Sequence, residues 1–158
     1  MAKKDTVLSV AQEIRDMMKE TKKNSVKTVV VAKEDARFVK NTDDSVLDTQ
    51  TGLIWGPTLS KQMSWADALK ACKDFDLGGH KDWRLPTVNE LFSLVDRKRY
   101  NPAIDKDFFP DTKSSWYWTC EKRADDADYA WIVGFGGGYV FGDYKVGEYY
   151  VRPCRSSQ

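Results

Sequence analysis

The sequence predicts a mixed α+β domain with two helices and an antiparallel β sheet, preceded by an amphipathic N-terminal helix. Three observations lead to this class. Short apolar runs separated by turn residues occupy residues 37–55, two capped helical patterns lie between residues 64 and 96, and aromatic strands separated by glycine turns follow residue 115. We expect residues 1–35 to form a separate N-terminal segment and residues 36–155 to form the domain itself.

The composition excludes some classes of partner. The chain has 158 residues, enough to bury a core without metal or disulfide support. Lys and Arg number 25 against 24 Asp and Glu, so the net charge of +1 gives no electrostatic reason to expect nucleic acid or a membrane surface as partner. Residues 1–40 carry ten basic and six acidic side chains, and residues 41–158 carry fifteen and eighteen. The later part of the chain is therefore acidic overall.

Targeting signals are absent from the first residues. No apolar run approaches the roughly 18 residues of a membrane span, and residues 1–10 lack the apolar core and cleavage site of a signal peptide. We therefore expect no membrane insertion. The compartment stays open between the cytoplasm, an export or phage-associated route that uses no such signal, and a secreted protein trimmed of its signal.

Residues 5–20 have the spacing of an amphipathic helix of about four turns. Its apolar face consists of Val7, Val10, Ala11, Ile14, Met17 and Met18. We expect this helix to dock on its own domain, to mediate homo-oligomer formation through a stripe that lasts barely two heptads, or to lie on a membrane surface. A β-branched run at 26–32 then predicts a strand.

The domain itself begins with a predicted β meander. Strands are expected at 37–39, Val46–Asp48 and Leu53–Trp55, because each is a short apolar run bounded by residues that favour turns. The last of these strands stops at Gly56 and Pro57.

The first predicted helix begins at Ser64, with Asp67 three residues later in a spacing like that of a capping box. Leu77 and the glycine pair at 78–79 end it. Its inner face is expected to consist of Trp65, Ala68, Leu69, Cys72 and Phe75.

A proline and a capping box precede the second predicted helix. Pro86 holds Leu85 in an extended conformation, so the chain is not helical there. Thr87 and Glu90 have the Thr-x-x-Glu spacing of a capping box, which predicts a helix over 88–96.

The remainder is a long loop followed by strands. Residues 97–115 contain two prolines and no period, and loops of this length inside a compact domain tend to be functional. Strands are expected at 116–119, 130–135, 139–141 and 149–152, with turns at 136–138 and around Gly142 and Asp143.

These elements carry a set of motifs in a characteristic order. They are Asp48-x-x-Thr51-Gly52-Leu53-x-Trp55, Trp65-x-x-Ala68, Gly79-x-x-Asp82-Trp83-Arg84-Leu85-Pro86-Thr87-x-x-Glu90-Leu91, Phe109-Pro110, Tyr117-Trp118, Ala130-Trp131-x-Val133-x-Phe135 and Val151-Arg152-x-Cys154-Arg155. Over residues 36–155 the chain resembles the bacterial domain typified by the C-terminal domain of the legionella collagen-like adhesin. That family resembles the C-type-lectin-like fold and is distantly related to the formylglycine-generating, sulfatase-modifying enzymes.

The resemblance implies a C-type-lectin-like domain whose N- and C-terminal strands pair and whose long loop region carries a binding surface. It implies ligand binding and adhesion, with sulfated glycosaminoglycans among the ligands of the type member. The acidic balance of residues 41–158 argues against carrying those sulfated ligands over.

The resemblance also implies a long-range disulfide between Cys72 on the first helix and Cys154 on the last strand. The alternative is a pair of buried free thiols, and the redox state of the compartment decides between them.

The residues give little support to an enzyme. His80 is the only histidine, and no Cys-x-x-Cys, phosphate-binding loop or nucleophile elbow occurs. Cys120 is the third cysteine and has no partner in the implied disulfide. We expect it to be a buried structural thiol, and a thiol-dependent enzyme is the least supported hypothesis. The cysteine pair of the formylglycine-generating enzymes has no counterpart that we can place. We therefore expect no enzyme and no cofactor.

Arg84 lies between Trp83 and Leu85, so we expect it to be drawn inward and paired with Glu90 or Asp82 in bidentate geometry. A ligand contact is the alternative. The tryptophans assigned to the core are Trp55, Trp65, Trp83 and Trp131.

Aromatic residues of the last strands form the candidate ligand-binding surface. Side chains alternate along a strand, so Trp116, Tyr117 and Trp118 are not expected all to face inward. The candidate ligand-binding residues are Trp116, Trp118, Arg123, Tyr129, Tyr139, Tyr144, Lys145 and Tyr149. We expect a stacking platform for a glycan or for a partner protein.

An acidic loop offers a weak candidate metal site. Asp125, Asp126 and Asp128 supply oxygens that a structural calcium ion would accept, but too few ligands are visible for a full shell, which favours a solvated turn.

The sequence thus predicts a non-catalytic recognition module in an adhesin-like role, binding a glycan or cell-surface ligand. The alternative is a protein-interaction or phage-assembly component.

Overall fold

The computed structural model describes residues 12–13, 15–18 and 36–157. The chain divides into two units, residues 1–37 and residues 38–158. In the first unit, residues 12–13 and 15–18 are helical, and Met17 and Met18 are exposed. The rest of the helix predicted at 5–20, and the strand predicted at 26–32, lie outside the described residues. Within the described ranges no helix is long and apolar enough to cross a membrane.

The second unit is mixed α+β, as predicted. Its elements in chain order are β1 (Phe38–Lys40), β2 (Val46–Asp48), β3 (Leu53–Trp55), α1 (Trp65–Asp74), α2 (Val88–Phe92), β4 (Trp116–Lys122), β5 (Tyr129–Gly134), β6 (Tyr139–Tyr144) and β7 (Cys154–Ser156).

The first sheet is antiparallel, with strand order β1-β2-β3-β7. The family resemblance implied that the N- and C-terminal strands of the domain pair with each other, and this is wrong. The C-terminal strand β7 pairs with β3, placing Cys154 opposite Trp55, whereas β1 lies at the other edge. The reason is that the meander occupies one edge of β3 with β2 and leaves the other edge for the returning chain.

The last strand begins later than the sequence pattern indicated. Of residues 149–152, only Tyr149 and Tyr150 form bridges, and these are isolated because each residue bonds a different element. The Tyr149 N–H donates to the Met63 carbonyl at 3.1 Å, and the Tyr150 N–H donates to the Trp116 carbonyl at 3.1 Å. A continuous ladder starts only at Cys154, after Pro153.

The second sheet is an antiparallel meander with order β4-β5-β6. The turn predicted around Gly142 and Asp143 is wrong, because both residues pair with β5 and the strand continues to Tyr144. Both faces of β4 are covered at residues 117–119. Tyr117 packs into a core cluster with Trp55, Phe109 and Val133, whereas its neighbour Trp118 packs into a second cluster. The residues buried with Trp118 are Ala68, Cys72, Leu85, Ala130, Ile132 and Val151.

Helix α1 begins and ends through local hydrogen bonds. Ser64 caps it, accepting from the Asp67 N–H at 3.3 Å. It ends at Phe75 rather than at the glycine pair, because the Phe75 N–H closes a tight turn on the Cys72 carbonyl and its ring packs edge-on against Trp83. The assignment of Leu69 to the inner face is wrong, since Leu69 is 37% exposed.

Helix α2 has the predicted capping box at Thr87 and Glu90, but it is shorter than the predicted 88–96. The Ser93 hydroxyl donates to the Glu90 carbonyl at 2.7 Å, and the Asp96 N–H donates to the Ala103 carbonyl at 2.9 Å. These bonds replace the next helical turn and lead the chain into the long loop.

The disulfide between Cys72 and Cys154 is absent, and both residues are free thiols. Cys72 packs in the cluster around Trp118, and Cys154 packs in the cluster around Tyr117, so each is enclosed by its own apolar neighbours. Burial raises the pKa of each thiol to about 12.

Of the tryptophans assigned to the core, Trp55 and Trp83 are buried, whereas Trp65 and Trp131 are half-buried.

Candidate functional site

The motif around Trp83 and Arg84 is a structural joint. Arg84 donates to both oxygens of Glu90, with Nη2 to Oε1 at 2.7 Å and Nη1 to Oε2 at 2.8 Å. The same carboxylate accepts the Thr87 N–H at 2.7 Å, and the backbone of Arg84 forms two hydrogen bonds with that of Cys154. The hydrogen bond from Arg84 lowers the pKa of Glu90. The motif thus ties α2 to the C-terminal strand. The predicted bidentate pairing of Arg84 with Glu90 is confirmed, but the prediction that Arg84 is drawn inward is wrong, because its side chain lies along the surface and is 44% exposed.

A second joint centres on Arg152, whose side chain is 2% exposed. Its guanidinium donates to Asp111 Oδ1 at 2.7 Å, to the Gly56 carbonyl at 2.7 Å and to the Thr58 hydroxyl at 2.8 Å. Burial raises the pKa of Asp111, but the charge and hydrogen bonds of Arg152 outweigh this effect and lower it overall. A cavity of about 190 Å³ borders the pair. Because the Arg152 guanidinium is already hydrogen-bonded to the Asp111 carboxylate and the Gly56 carbonyl, we assign the pair a structural role.

A cleft of about 230 Å³ lies beside the start of β4 and the turn between β5 and β6. We call it the aromatic cleft. Its lining residues are Tyr100, Ser114, Ser115, Trp116, Gly134, Gly136, Gly137 and Tyr139. Tyr100 is 81% exposed and Tyr139 is 64% exposed, so their rings present open faces to a ligand. Serine hydroxyls and glycine backbone supply hydrogen-bonding groups next to those rings.

Two glycines give the aromatic cleft its shape. Trp116 lies opposite Gly134 in the register, and a Cβ on Gly134 would be 2.8 Å from Trp116 Cζ3. A Cβ on Gly137 would be 2.5 Å from Tyr139 Cε2. Both rings therefore lie close to backbone that has no side chain, in space that a larger residue would fill.

The long loop forms one wall of the aromatic cleft. The Asn101 N–H donates to the Gly136 carbonyl at 3.0 Å, and the Ala103 N–H donates to the Phe135 carbonyl at 2.6 Å. The Ser114 hydroxyl donates to the Asn101 side-chain oxygen. These bonds fasten residues 97–115 to the β5–β6 turn and bring Tyr100 beside Tyr139.

Residues 44–155 match the family of the Lcl C-terminal domain. The chain belongs to the Lcl C-terminal domain family. The matched region contains the aromatic cleft and both structural joints, and it excludes β1 and the N-terminal unit. No curated protein matches the chain.

Within the Lcl C-terminal domain, the predicted ligand-binding residues separate into different places. Trp116 and Tyr139 line the aromatic cleft. Tyr144 is exposed and forms a second group with the half-buried Arg123 and Tyr129, which we call the arginine–tyrosine cluster. The Arg123 guanidinium lies 5.2 Å from the Tyr129 ring centre, and the Tyr129 and Tyr144 rings are 4.1 Å apart.

The prediction that Trp118 binds the ligand is wrong, because its side chain is fully buried. Its indole N–H donates to the Met63 carbonyl at 2.8 Å, and its ring packs edge-on against Tyr149 at 4.9 Å. The alternation of side chains was inferred correctly, but both faces of β4 are covered, so alternation does not expose either neighbour.

Lys145 and Tyr149 lie beside this buried region rather than in the aromatic cleft. The Lys145 ammonium is 4.8 Å from the Trp65 ring centre and donates to the Ala127 carbonyl. Tyr149 is half-buried and its hydroxyl donates to Asp143. Burial and this hydrogen bond raise the pKa of Tyr149 to about 12.

The aspartates of the acidic loop contact groups within the loop itself. The Arg123 Nε donates to Asp125 Oδ1 at 2.9 Å, and Asp126 Oδ1 accepts the Asp128 N–H at 2.9 Å. The hydrogen bond from Arg123 lowers the pKa of Asp125. Within residues 36–157, no three His, Cys, Asp or Glu side chains come together as a metal ion would need.

Sequence reasoning missed Tyr100, Ser114 and Ser115. The available signal was the length of the loop that contains them, which had already suggested a functional role. The sequence does not show that the loop folds back onto the β5–β6 turn, because those contacts join residues about 35 positions apart.

Proposed function

We propose that this domain is a non-catalytic recognition module that binds a glycan in the aromatic cleft, in an adhesin-like role and on a C-type-lectin-like scaffold. The observation that carries the proposal is the cleft itself, in which exposed tyrosine rings stand next to serine hydroxyls and glycine backbone. Membership of the Lcl C-terminal domain family supports an adhesin-associated role.

The chemistry of a sugar suits this lining. A pyranose ring has a C–H face that stacks on an aromatic ring, and it has hydroxyl groups at its edge that exchange hydrogen bonds with serine and backbone. The volume of about 230 Å³ lies below the roughly 300 Å³ at which pockets for drug-sized ligands begin. The cleft therefore suits the end of a glycan chain rather than a long stretch of it.

The test is a glycan array followed by calorimetric titration of the best ligand. Tyr100→Ala and Tyr139→Ala remove exposed rings from the cleft, and we expect each to weaken binding about tenfold, from loss of roughly 1.4 kcal/mol of stacking. Tyr144→Ala is the matched control, since Tyr144 is a 53% exposed tyrosine that does not line the cleft. Failure of every glycan to bind, or equal loss in all three variants, would contradict the proposal.

A protein ligand is the second candidate, and the arginine–tyrosine cluster favours it. Arginine and tyrosine are enriched among residues that dominate binding at protein interfaces. Here Arg123→Ala and Tyr144→Ala would weaken binding, whereas Tyr100→Ala would leave it unchanged. The same variants thus separate the two candidates.

Catalysis is not part of the proposal, which requires no cofactor. A thiol-dependent enzyme would need a reactive Cys120, but burial raises the pKa of that thiol and so lowers the fraction present as the nucleophilic thiolate. Loss of an activity of the purified protein in Cys120→Ser would overturn this view.

A further inference from the structure

We infer that the ligand of the aromatic cleft is an uncharged sugar, recognised by stacking and by hydrogen bonds between neutral groups. The inference rests on the proposed glycan-binding function and goes beyond it by naming the class of glycan. It concerns the charge of the cleft wall, which a sulfated or carboxylated sugar would need to match.

The lining residues of the cleft carry no charge. They are three aromatic residues, two serines and three glycines. A sulfate or carboxylate group placed there would lose its water without gaining a cation, which costs free energy unless the charge is paired. The hydroxyls of a neutral sugar lose water too, but the serine hydroxyls and backbone groups replace those hydrogen bonds.

The arginine next to Tyr100 is already committed to carboxylates. Arg99 Nε lies 3.2 Å from Asp96 Oδ2, and Arg99 Nη2 lies 3.2 Å from Asp105 Oδ1. Both carboxylates lie within 3.2 Å of this guanidinium, so its charge is already paired. Arg99 therefore does not serve as the sulfate-binding cation for this cleft.

The polar side of the wall is also built from neutral groups. The Ser114 hydroxyl is bonded to the side-chain oxygen of Asn101, and the Asn101 backbone is bonded to the Gly136 carbonyl. Ser114 is exposed, so its hydroxyl oxygen remains able to accept from a sugar hydroxyl. Serine and asparagine offer donors and acceptors together, and a sugar hydroxyl likewise donates and accepts.

The experiment compares neutral, carboxylated and sulfated oligosaccharides of equal length in direct binding to the full chain. We expect the neutral members to bind and the sulfated members to compete poorly. Because no ion pair is involved, raising sodium chloride from about 20 mM to about 500 mM should change the Kd by less than about twofold. Tighter binding of sulfated sugars with a steep loss in salt would overturn the inference.

Two variants make the test specific to this wall. Lys98→Ala and Lys113→Ala remove exposed bases that are close to Tyr100 and Ser114 in the chain, and we expect neither to change the Kd. If either lysine variant binds more weakly and Tyr139→Ala also binds more weakly, the cleft recognises a charged glycan. That result would support the proposed glycan-binding function and contradict the inference that the glycan is uncharged. Absence of binding to every glycan would instead refute the glycan-binding function.

Discussion

Arg152 Nη2 lies 2.7 Å from Asp111 Oδ1, and this pair joins two segments that are 41 residues apart. Asp111 belongs to the long loop and Arg152 to the segment before β7. The Asp111 carboxylate also accepts the Thr58 N–H, so a third segment that follows β3 is held at the same point. The pair of Arg152 and Asp111 therefore fastens the long loop, and this loop forms one wall of the aromatic cleft.

Replacing Arg152 by alanine should be strongly destabilising. The change would leave the buried Gly56 carbonyl and the 37% exposed Asp111 carboxylate without their partner. Breaking a fully buried pair costs about 3–5 kcal/mol, and because water reaches Asp111 we expect a loss towards the lower end of that range. Urea unfolding measures this loss as a lower transition midpoint. The control is Arg97→Ala, because Arg97 is exposed and should shift the midpoint little. Similar midpoints for the two variants would show that the pair of Arg152 and Asp111 contributes nothing to stability.

Acid should weaken the joint between Arg84 and Glu90. The pKa of Glu90 lies below its ordinary value of 4.5, so the pair stabilises the fold fully above that pH and loses its effect as the pH falls through the lowered pKa. Glu90→Gln should therefore be less stable than the native chain at pH 7, and the difference should shrink below pH 4.5. Urea midpoints between pH 7 and pH 2 provide the measurement.

The exposed Asp107 provides the control for this pH dependence. Asp107→Asn should follow the native curve throughout. A constant difference between Glu90→Gln and the native chain at every pH would mean that the hydrogen bonds of Glu90 act independently of its charge.

Local signals in the sequence predicted local structure well. The strands Val46–Asp48 and Leu53–Trp55 agree residue for residue, because turn residues bound each short apolar run. The capping residues Ser64 and Thr87 also agree, since a cap depends only on side chains within three positions.

Features that depend on distant contacts were not predictable in the same way. The burial of Trp118 requires α1 and the segment near Val151 to cover one face of β4. The start of β7 depends on which elements bond residues 149–152. Periodicity reports which side chains share a face, but it does not report whether another part of the chain covers that face.

Trp118 and Trp116 should consequently respond to substitution in opposite ways. Trp118→Ala removes a fully buried ring and should cost about 3–5 kcal/mol of stability. Trp116 is half-buried and lines the aromatic cleft, so Trp116→Ala should cost less stability and weaken glycan binding. Unfolding midpoints and binding titrations on both variants make the comparison. A larger loss of stability in Trp116→Ala would contradict the assignment.

Gly138 and Gly79 form a matched pair for testing how tightly the β5–β6 turn is packed. Both have positive φ, +78° and +75°, so alanine at either position suffers the left-handed penalty of about 1–2 kcal/mol. A Cβ on Gly138 would also lie 2.5 Å from Val95 Cγ1, whereas a Cβ on Gly79 meets nothing within 4 Å. Overpacking adds about 1–3 kcal/mol at Gly138 alone. Urea unfolding should therefore show a greater loss of stability in Gly138→Ala than in Gly79→Ala. Equal losses would mean that Val95 moves aside freely and that the turn beside the aromatic cleft is not rigidly packed.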